Sequence, residues 1–276
     1  MTDTALPQFD TLRLHLDGSV AVLTLNRPQR LNAAPPQMFA ELHRALSQLP
    51  ALGARALLIT GEGRAFCSGA DLQGGLADAA TTSTGAAPSR GDQAYQALST
   101  AYSPALLALA NLAMPVVAAV NGVAAGIGCS LALAADFTIA ARSAYFLEAF
   151  VNIGLVPDGG ATWMLARQVG KARATQMLML GERIAAEQAQ QWGLIYRAVD
   201  DAALPDEALA LARRLAAGPT RTLSLIRQGL ARALEQGYAQ SLQMEAEHQR
   251  IAANTPDAVE GATAFLQRRA AVFGGR

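Results

Sequence analysis

One isolated carboxylate and two glycine-bearing loops carry the chemistry open to this chain. Asp158 lies in the stretch 153–163, IGLVPDGGATW, between an apolar run that ends at Pro157 and the pair Gly159-Gly160. An acid placed there either caps the helix that follows or faces a pocket and moves protons. In the second case the aliphatic run before Pro157 supplies the dry surroundings that raise its pKa. The stretch 121–130, NGVAAGIGCS, follows an apolar strand and opens a helix. Its glycines let a ligand approach the backbone closely. The first amides of the helix have no internal partners and lie at the positive end of its dipole, which suits an oxyanion or a phosphate. The loop 64–72, RAFCSGADL, is a second candidate donor: Gly69 can take unusual dihedrals and Ala70 is small enough to leave its amide open. Taken alone, it is equally an ordinary surface turn.

Three chemistries compete for 121–130. A dinucleotide fingerprint would start at Gly126-x-Gly128, but Leu131 stands where its third glycine should be. A hydrolase nucleophile elbow would use Ser130, but Ala132 replaces its last glycine. The downstream histidine such a triad needs is His248, on a helix face with Glu245, Glu247 and Arg250 that reads as solvated. The third is a pure amide trap for a carbonyl oxygen. Cys67 reads as a small apolar filler, having no histidine near it in sequence.

The elements that must position these groups follow from periodicity and punctuation. Residues 9–26 alternate and break at Asp17-Gly18, a hairpin signal. A helix is expected from 36 to 49, a strand at 55–60 and a loop at 64–72. Residues 74–92, rich in Gly, Ala, Ser and Thr without apolar period, read as flexible. A helix then spans 93–112, strands fall at 116–120, 137–140 and 145–147, and a helix begins at 129. Strands alternating with helices argue for an α/β fold with crossover connections. From Ala161 onward helices succeed one another, at 161–169, 171–180, 186–192, 203–216, 219–234, 238–253 and 256–269. One strand, at 195–199, interrupts them. No internal repeat is visible in the letters.

Composition narrows the function classes. The chain has 276 residues, 51% of them hydrophobic and 16% charged, with 22 basic against 22 acidic side chains. A neutral protein has no bulk field to draw in nucleic acid or an anionic membrane, so neither is an expected partner. The uncharged stretch 93–135 is long enough to suggest a membrane span. Pro115, Asn121, Gly122, Gly126 and Gly128 break it, and a buried strand, turn and helix explain it better. Two distant cysteines make neither a disulfide framework nor a metal cluster. The start, MTDTALPQFD, lacks the pattern of a secretory signal, so a cytoplasmic location is expected.

The motifs together resemble the crotonase superfamily, also called the enoyl-CoA hydratase/isomerase family. The likeness runs over nearly the whole chain, through LNRPQRLNA at 25–33, GEGRAFCSGADL at 61–72, MPVVAAVNGVAAGIGCSLALAADF at 114–137, GLVPDGGATW at 154–163 and EGATAFLQRR at 260–269. It implies a crotonase-like spiral of ββα units over 1–200, with a C-terminal helical trimerisation region over 201–276. The assembly it implies is a homotrimer or a dimer of trimers. The substrate implied is an acyl-CoA thioester, with coenzyme A as part of the substrate and no separate cofactor or metal. By position, the amides of Ala70 and Ile127 hold the thioester oxygen as the enolate forms. Position 127 is usually glycine in the family, so the Ile127 side chain must point away or narrow the pocket.

The two glutamates by which the family's hydratases add water correspond to Ser130 and Phe150, neither an acid, and both are expected to contact the substrate instead. Glu148 is offset from the second slot, which counts against it as a substitute. In related double-bond isomerases an acid fills the slot of Asp158. The motif GLVPDGGATW most resembles isomerases of phenylacetate breakdown, which act on ring-epoxide CoA thioesters, and 3,2-enoyl-CoA isomerases. A dehalogenase branch also places an acid near this slot, but wants a histidine near the first donor loop that is missing here. A one-base proton shuttle through Asp158 is therefore expected, and it requires that no second acid line the cavity. By family position, CoA contacts fall on Gln29, Arg30, Arg64 and the backbone near Ser68, with Asp71 and Leu72 beside them. Phe265 and Arg268 would reach a neighbouring subunit's CoA. A hydratase with a non-standard acid and a catalytically silent CoA-binding scaffold are the competing readings.

Overall fold

Alternation in the first strands builds one edge of a large sheet. The computed structural model describes residues 6–72 and 88–276. Strand β1 (Leu12–Asp17) buries Leu12 and Leu14 and exposes Arg13 and His15. It pairs antiparallel with β2 (Val20–Leu25) around Asp17-Gly18, with Asp17 opposite Val20. Inward, the sheet becomes parallel: β3 (Ala56–Gly61), β5 (Val116–Val120), β7 (Phe137–Ala141) and β10 (Arg197–Val199) extend it in the order β1-β2-β3-β5-β7-β10. The central run VVAAV of β5 is wholly buried, as a strand covered on both faces requires.

A smaller sheet is made by the strand that follows each central one. Strands β4 (Ala65–Cys67), β6 (Val123–Ala125) and β8 (Tyr145–Leu147) run parallel, with β9 (Ile184–Ala185) antiparallel to β8. Strands β3, β5 and β7 each step into a short one, β4, β6 and β8, before the chain returns through helix, which is a spiral of ββα units. The repeat is one of architecture and leaves no mark in the letters. Three short strands escape the sequence reading for this reason. Residues 64–72 are not loop throughout, since 65–67 form β4. Residues 123–125 read as part of a glycine turn, and 184–185 as a break between helices.

The helices lie close to their expected places. Helix α1 (Pro36–Gln48) buries Met38, Phe39, Leu42 and Leu46. The expected helix at 93–112 begins earlier, at α2 (Arg90–Ala97), where Ser89 and Asp92 form a reciprocal capping box. It then widens into a π-helical turn, Leu98–Tyr102, before α3 (Ser103–Ala110). The flexible reading of 74–92 falls mostly outside the described residues, and its end is this cap and helix. Helix α4 (Ile127–Leu133) starts two residues before its expected position. There follow α5 (Ala161–Gln168), α6 (Gly170–Leu180), α7 (Ala186–Gln191), α8 (Leu204–Ala216), α9 (Thr220–Ala233), α10 (Tyr238–Ala253) and α11 (Pro256–Leu266).

A division at residue 200 separates α8 from the sheet, yet α8 buries Leu204, Ala208, Ala212 and Ala216 and packs on β2, β3, β5 and β7. By packing it belongs with the spiral core. Helices α9 to α11 extend beyond it, and α9 is pinned back by Arg227, which pairs with Asp136 at 2.6 Å and donates to the carbonyls of Leu109, Ala110 and Leu112. Fully buried Phe39, Phe66 and Phe146 anchor the core, each stabilising the fold by about 2 kcal/mol through the apolar surface removed from water. No helix among the described residues is long and apolar enough to cross a membrane.

Candidate active site

The two donor loops come together at the ends of β4 and β6. Ala70 forms a parallel bridge with Ala34: the Ala34 amide donates to the Gly69 carbonyl at 2.8 Å, and the Asp71 amide to the Ala34 carbonyl at 3.1 Å. Bonds of that pattern leave the Ala70 N–H turned to the opposite side, where β6 lies. Gly69 has φ +109°, and a Cβ on it would come within 3.3 Å of the Ala125 carbonyl. The left-handed backbone and the close approach both require glycine there. Ile127 opens α4, so its amide is one of the helix's orphan donors. The Ala70 and Ile127 amides thus lie on neighbouring loops, and no side chain among the described residues takes either.

The Ile127 side chain is 2% exposed and points under the Asp158 loop. A Cβ on Gly159 would stand 2.5 Å from Ile127 Cδ1 and 2.8 Å from Ser130 Cβ. Glycine at 159 therefore makes the room that isoleucine at 127 occupies.

Asp158 does not cap the following helix. The cap residue of α5 is Gly160, with no side-chain cap bond. The backbone carbonyl of Asp158 accepts from the Ala161 amide at 3.1 Å and from the Ser130 hydroxyl at 3.2 Å. The backbone is held on both sides while the carboxylate stays free: Oδ1 is buried and has no hydrogen-bond partner. Burial pushes the acid up to about 6, so it is ionised at neutral pH yet basic enough to take a proton. The dryness has a different origin from the one expected. Ile153, Leu155 and Val156 are 54%, 55% and 81% exposed, because the turn Val151–Ile153 and Gly154 at φ +72° swing the run outward. On the α4 side, Ile127 and Ser130 lie against the loop.

Ser130 is fully buried, with its hydroxyl spent on the Asp158 carbonyl. His248 lies in a groove of about 330 Å³ between α9 and α10, lined also by Leu225, Leu230 and Met244. No Ser–His pair forms, and the nucleophile-elbow reading falls. Cys67 is buried against Gly128, and burial raises its thiol to about 11, which fits a filler. Phe150 is 8% exposed and its ring edge lies 3.5 Å from where a Cβ on Gly126 would be.

Glu148 departs from expectation. It follows β8 directly, is wholly buried, and neither carboxyl oxygen has a hydrogen-bond partner. Burial lifts it to about 8, with Asp158's charge adding to the rise. The offset from Phe150 removes it from the family slot but not from the neighbourhood of Asp158. A sequence signal existed, an acid at the end of a buried strand, but its inward direction depends on the β6–β8 register.

Around the first loop, Asp71 pairs with Arg27 at 2.8 Å and with Arg30 at 3.4 Å. Arg27 was not among the expected residues, nor was Asn32, which is fully buried and donates to the Glu62 and Ala65 carbonyls at 3.0 and 2.8 Å. Gln29 and Arg64 are exposed, Arg30 half-buried, and Leu72 47% exposed. The Ser68 amide is occupied by the Leu31 carbonyl at 3.0 Å, so that amide is not open to a ligand. Tyr102, also unforeseen, donates its hydroxyl to the Ala34 carbonyl at 2.8 Å and so braces the Ala70 loop. Phe265 is 82% exposed near the end of α11, and Arg268 lies just beyond it at φ +52°. No hydrogen bond or ion pair among the described residues ties either to the site.

The family model described as Enoyl-CoA hydratase/isomerase matches residues 15–276. The chain belongs to the enoyl-CoA hydratase/isomerase family. An Escherichia coli (strain K12) protein named 1,2-epoxyphenylacetyl-CoA isomerase is 44% identical over 95% of this chain and 97% of its own length. A Rhodobacter capsulatus protein named a probable enoyl-CoA hydratase is 42% identical over 97% of this chain and 99% of its own. The crystal structure of an enoyl-CoA hydratase from Polaromonas sp. JS666 matches with a TM-score of 0.87 at 32% identity, covering 95% of this chain and 99% of that one. Family membership makes this an acyl-CoA enzyme with the crotonase fold, and isomerases and hydratases both stand among its relatives.

Proposed function

We propose that the protein isomerises an acyl-CoA thioester, at a double bond or a ring epoxide, through a backbone-stabilised thioester enolate, with Asp158 as the proton shuttle. One observation carries the reading: Asp158 presents a buried, unpartnered carboxylate oxygen while the slots at 130 and 150 hold a serine and a phenylalanine. The amides of Ala70 and Ile127 hold the thioester oxygen, where loss of one donor costs about 3 kcal/mol in the transition state. The carboxylate takes a proton from one end of the allylic system and returns it at the other. Coenzyme A enters as part of the substrate, with Arg30, Gln29 and Arg64 near its phosphates and Asp71 holding Arg30 in place. The relative named as an epoxide-CoA isomerase supports the same class. We place the protein in the cytoplasm as a homotrimer or dimer of trimers, Phe265 and Arg268 reaching a neighbour's CoA. Ile226, Leu230, Leu234, Tyr238 and Leu266 are exposed on the C-terminal helices and suit such an assembly.

Purified protein given 3-enoyl-CoA should form the conjugated 2-enoyl-CoA, read by its thioester absorbance, and Asp158→Asn should abolish this. Hydratase action is the second reading, favoured by the hydratase-named relative and by a second acid near Asp158. Rapid water addition to crotonyl-CoA, undiminished in Asp158→Asn, would select it. Tight CoA binding with no turnover on either substrate would leave the scaffold.

A further inference from the structure

Glu148 is a buried acid that the isomerase reaction does not use. It is 0% exposed, and neither of its oxygens has a hydrogen-bond partner of normal geometry, the Cys129 thiol being the polar group beside it. A carboxylate in such a place would forfeit hydration for little more than a weak thiol contact, at a cost that neutralises the group instead. Its place in the chain ties it to the site. The carbonyl of Leu147, one residue before it, accepts from the Gly126 amide at 2.8 Å, and Gly126 precedes Ile127. Phe150, two residues after it, packs over Gly126.

The groups facing it from the elements packed on β8 are few. From α4 the thiol of Cys129 is its polar neighbour, without a hydrogen bond of normal geometry between them, and that thiol is itself driven well above its usual range by burial and by Glu148. From the glycine loop comes the charge of Asp158. Strand β6, with sequence VAA, brings no titratable group. Arg183, before β9, stacks on Tyr145 at the far end of β8, and Glu187 of α7 pairs with Arg142. No cation among the described residues pairs with Glu148.

We propose that Glu148 is a positioning residue for the enolate site: a carboxylic acid held neutral behind Gly126 and Ile127, whose ionisation places a second negative charge beside Asp158 and the forming enolate. The neutral acid keeps the cavity's charge at one. The ionised form opposes both the base and the oxyanion, so turnover falls as pH rises through its midpoint. Burial sets that midpoint near 8, which leaves about a tenth of the protein in the neutral form at pH 9.

The test is a carboxyl ¹³C NMR titration of the full chain with labelled Glu and Asp, read in wild type, Glu148→Gln, Glu148→Met and Asp158→Asn. One glutamate resonance should titrate with a midpoint near 8 and vanish in both Glu148 variants. In Asp158→Asn it should titrate about half a unit or more lower, since a like charge has been removed. A Glu148 midpoint below 6, or one unmoved by Asp158→Asn, overturns the proposal. The kinetic arm rests on Asp158 being the isomerase base. There the ratio of turnover at pH 9 to that at pH 7 should rise about fivefold or more in Glu148→Gln. An unchanged ratio contradicts the positioning role while leaving the isomerase reading intact. Absence of isomerase turnover in wild type would strike that reading and leave the NMR outcome to decide this one.

Discussion

Asp158 and Glu148 are two carboxyls in one neighbourhood, treated differently by the backbone beneath them. Asp158 rides a loop of left-handed glycines, its own carbonyl clamped by Ser130 and Ala161 and its side chain left half-buried. Glu148 follows directly on β8 and is turned fully inward. The same physical cause, loss of hydration, is the main one that raises both, to about 6 for Asp158 and, with greater depth and Asp158's charge added, to about 8 for Glu148. At neutral pH the first is a carboxylate, the base of the proposed reaction, and the second a neutral acid. Separation of paired carboxyls in this way is how a site assigns roles to chemically identical groups.

The comparison can be broken at several points. The largest effect on stability should come from Gly159→Ala. A Cβ there would meet Ser130 Cβ at 2.8 Å and Ile127 Cδ1 at 2.5 Å, at φ +61°. A loss of about 3 kcal/mol in denaturant unfolding is expected from overpacking and the left-handed backbone together. Ile127→Ala in the same chain should recover part of it. An effect below about 1 kcal/mol would show that the loop bearing Asp158 is not seated on α4.

A comparable change should come from pH acting on Glu148. Its folded value is raised above 4.5 to about 8, so the unfolded chain loses its proton first. Stability from this group is complete below pH 4.5, falls as pH climbs through the window up to 8, and is level beyond. Glu148→Gln removes that slope, and its stability relative to wild type should improve by about 3 kcal/mol between pH 5 and pH 8. Parallel curves for the two proteins would mean that Glu148 is not buried neutral.

Smaller again is Ser130→Ala, which deletes the hydroxyl bonded to the Asp158 carbonyl at 3.2 Å. About 1 kcal/mol of stability should go, and isomerase kcat should fall while KM holds, because the base loosens and the CoA contacts do not. A rise in KM alone would place Ser130 against the substrate instead of under the loop.

Much of this was legible in the letters, and the rest was hidden for identifiable reasons. The hairpin at Asp17-Gly18, the buried run of β5 and the amphipathic C-terminal helices are written in periodicity, so they lie within a few residues of their expected places. Asp158 and the two donor loops were legible as an acid beside glycines and as small residues after strands. The short strands of the second sheet were not, because three residues carry no period. The exposure of Ile153, Leu155 and Val156 was misjudged, since an apolar run reads as buried until a turn at Gly154 is known to expose it. Glu148, Tyr102 and Asn32 were missed or set aside because their partners lie far along the chain. Tyr102 braces Ala34, and Asn32 joins Glu62 and Ala65, across separations that only the spiral closes.

The most direct measurement is kcat/KM for the conversion of 3-enoyl-CoA to 2-enoyl-CoA as a function of pH, in wild type and in Asp158→Asn. With Asp158 as the base, activity should climb as pH rises through about 6 and level near neutrality, and the variant should lie about a thousandfold lower at every pH. An acid limb that persists in Asp158→Asn, or a variant as fast as wild type, would contradict the claim that this carboxylate moves the proton.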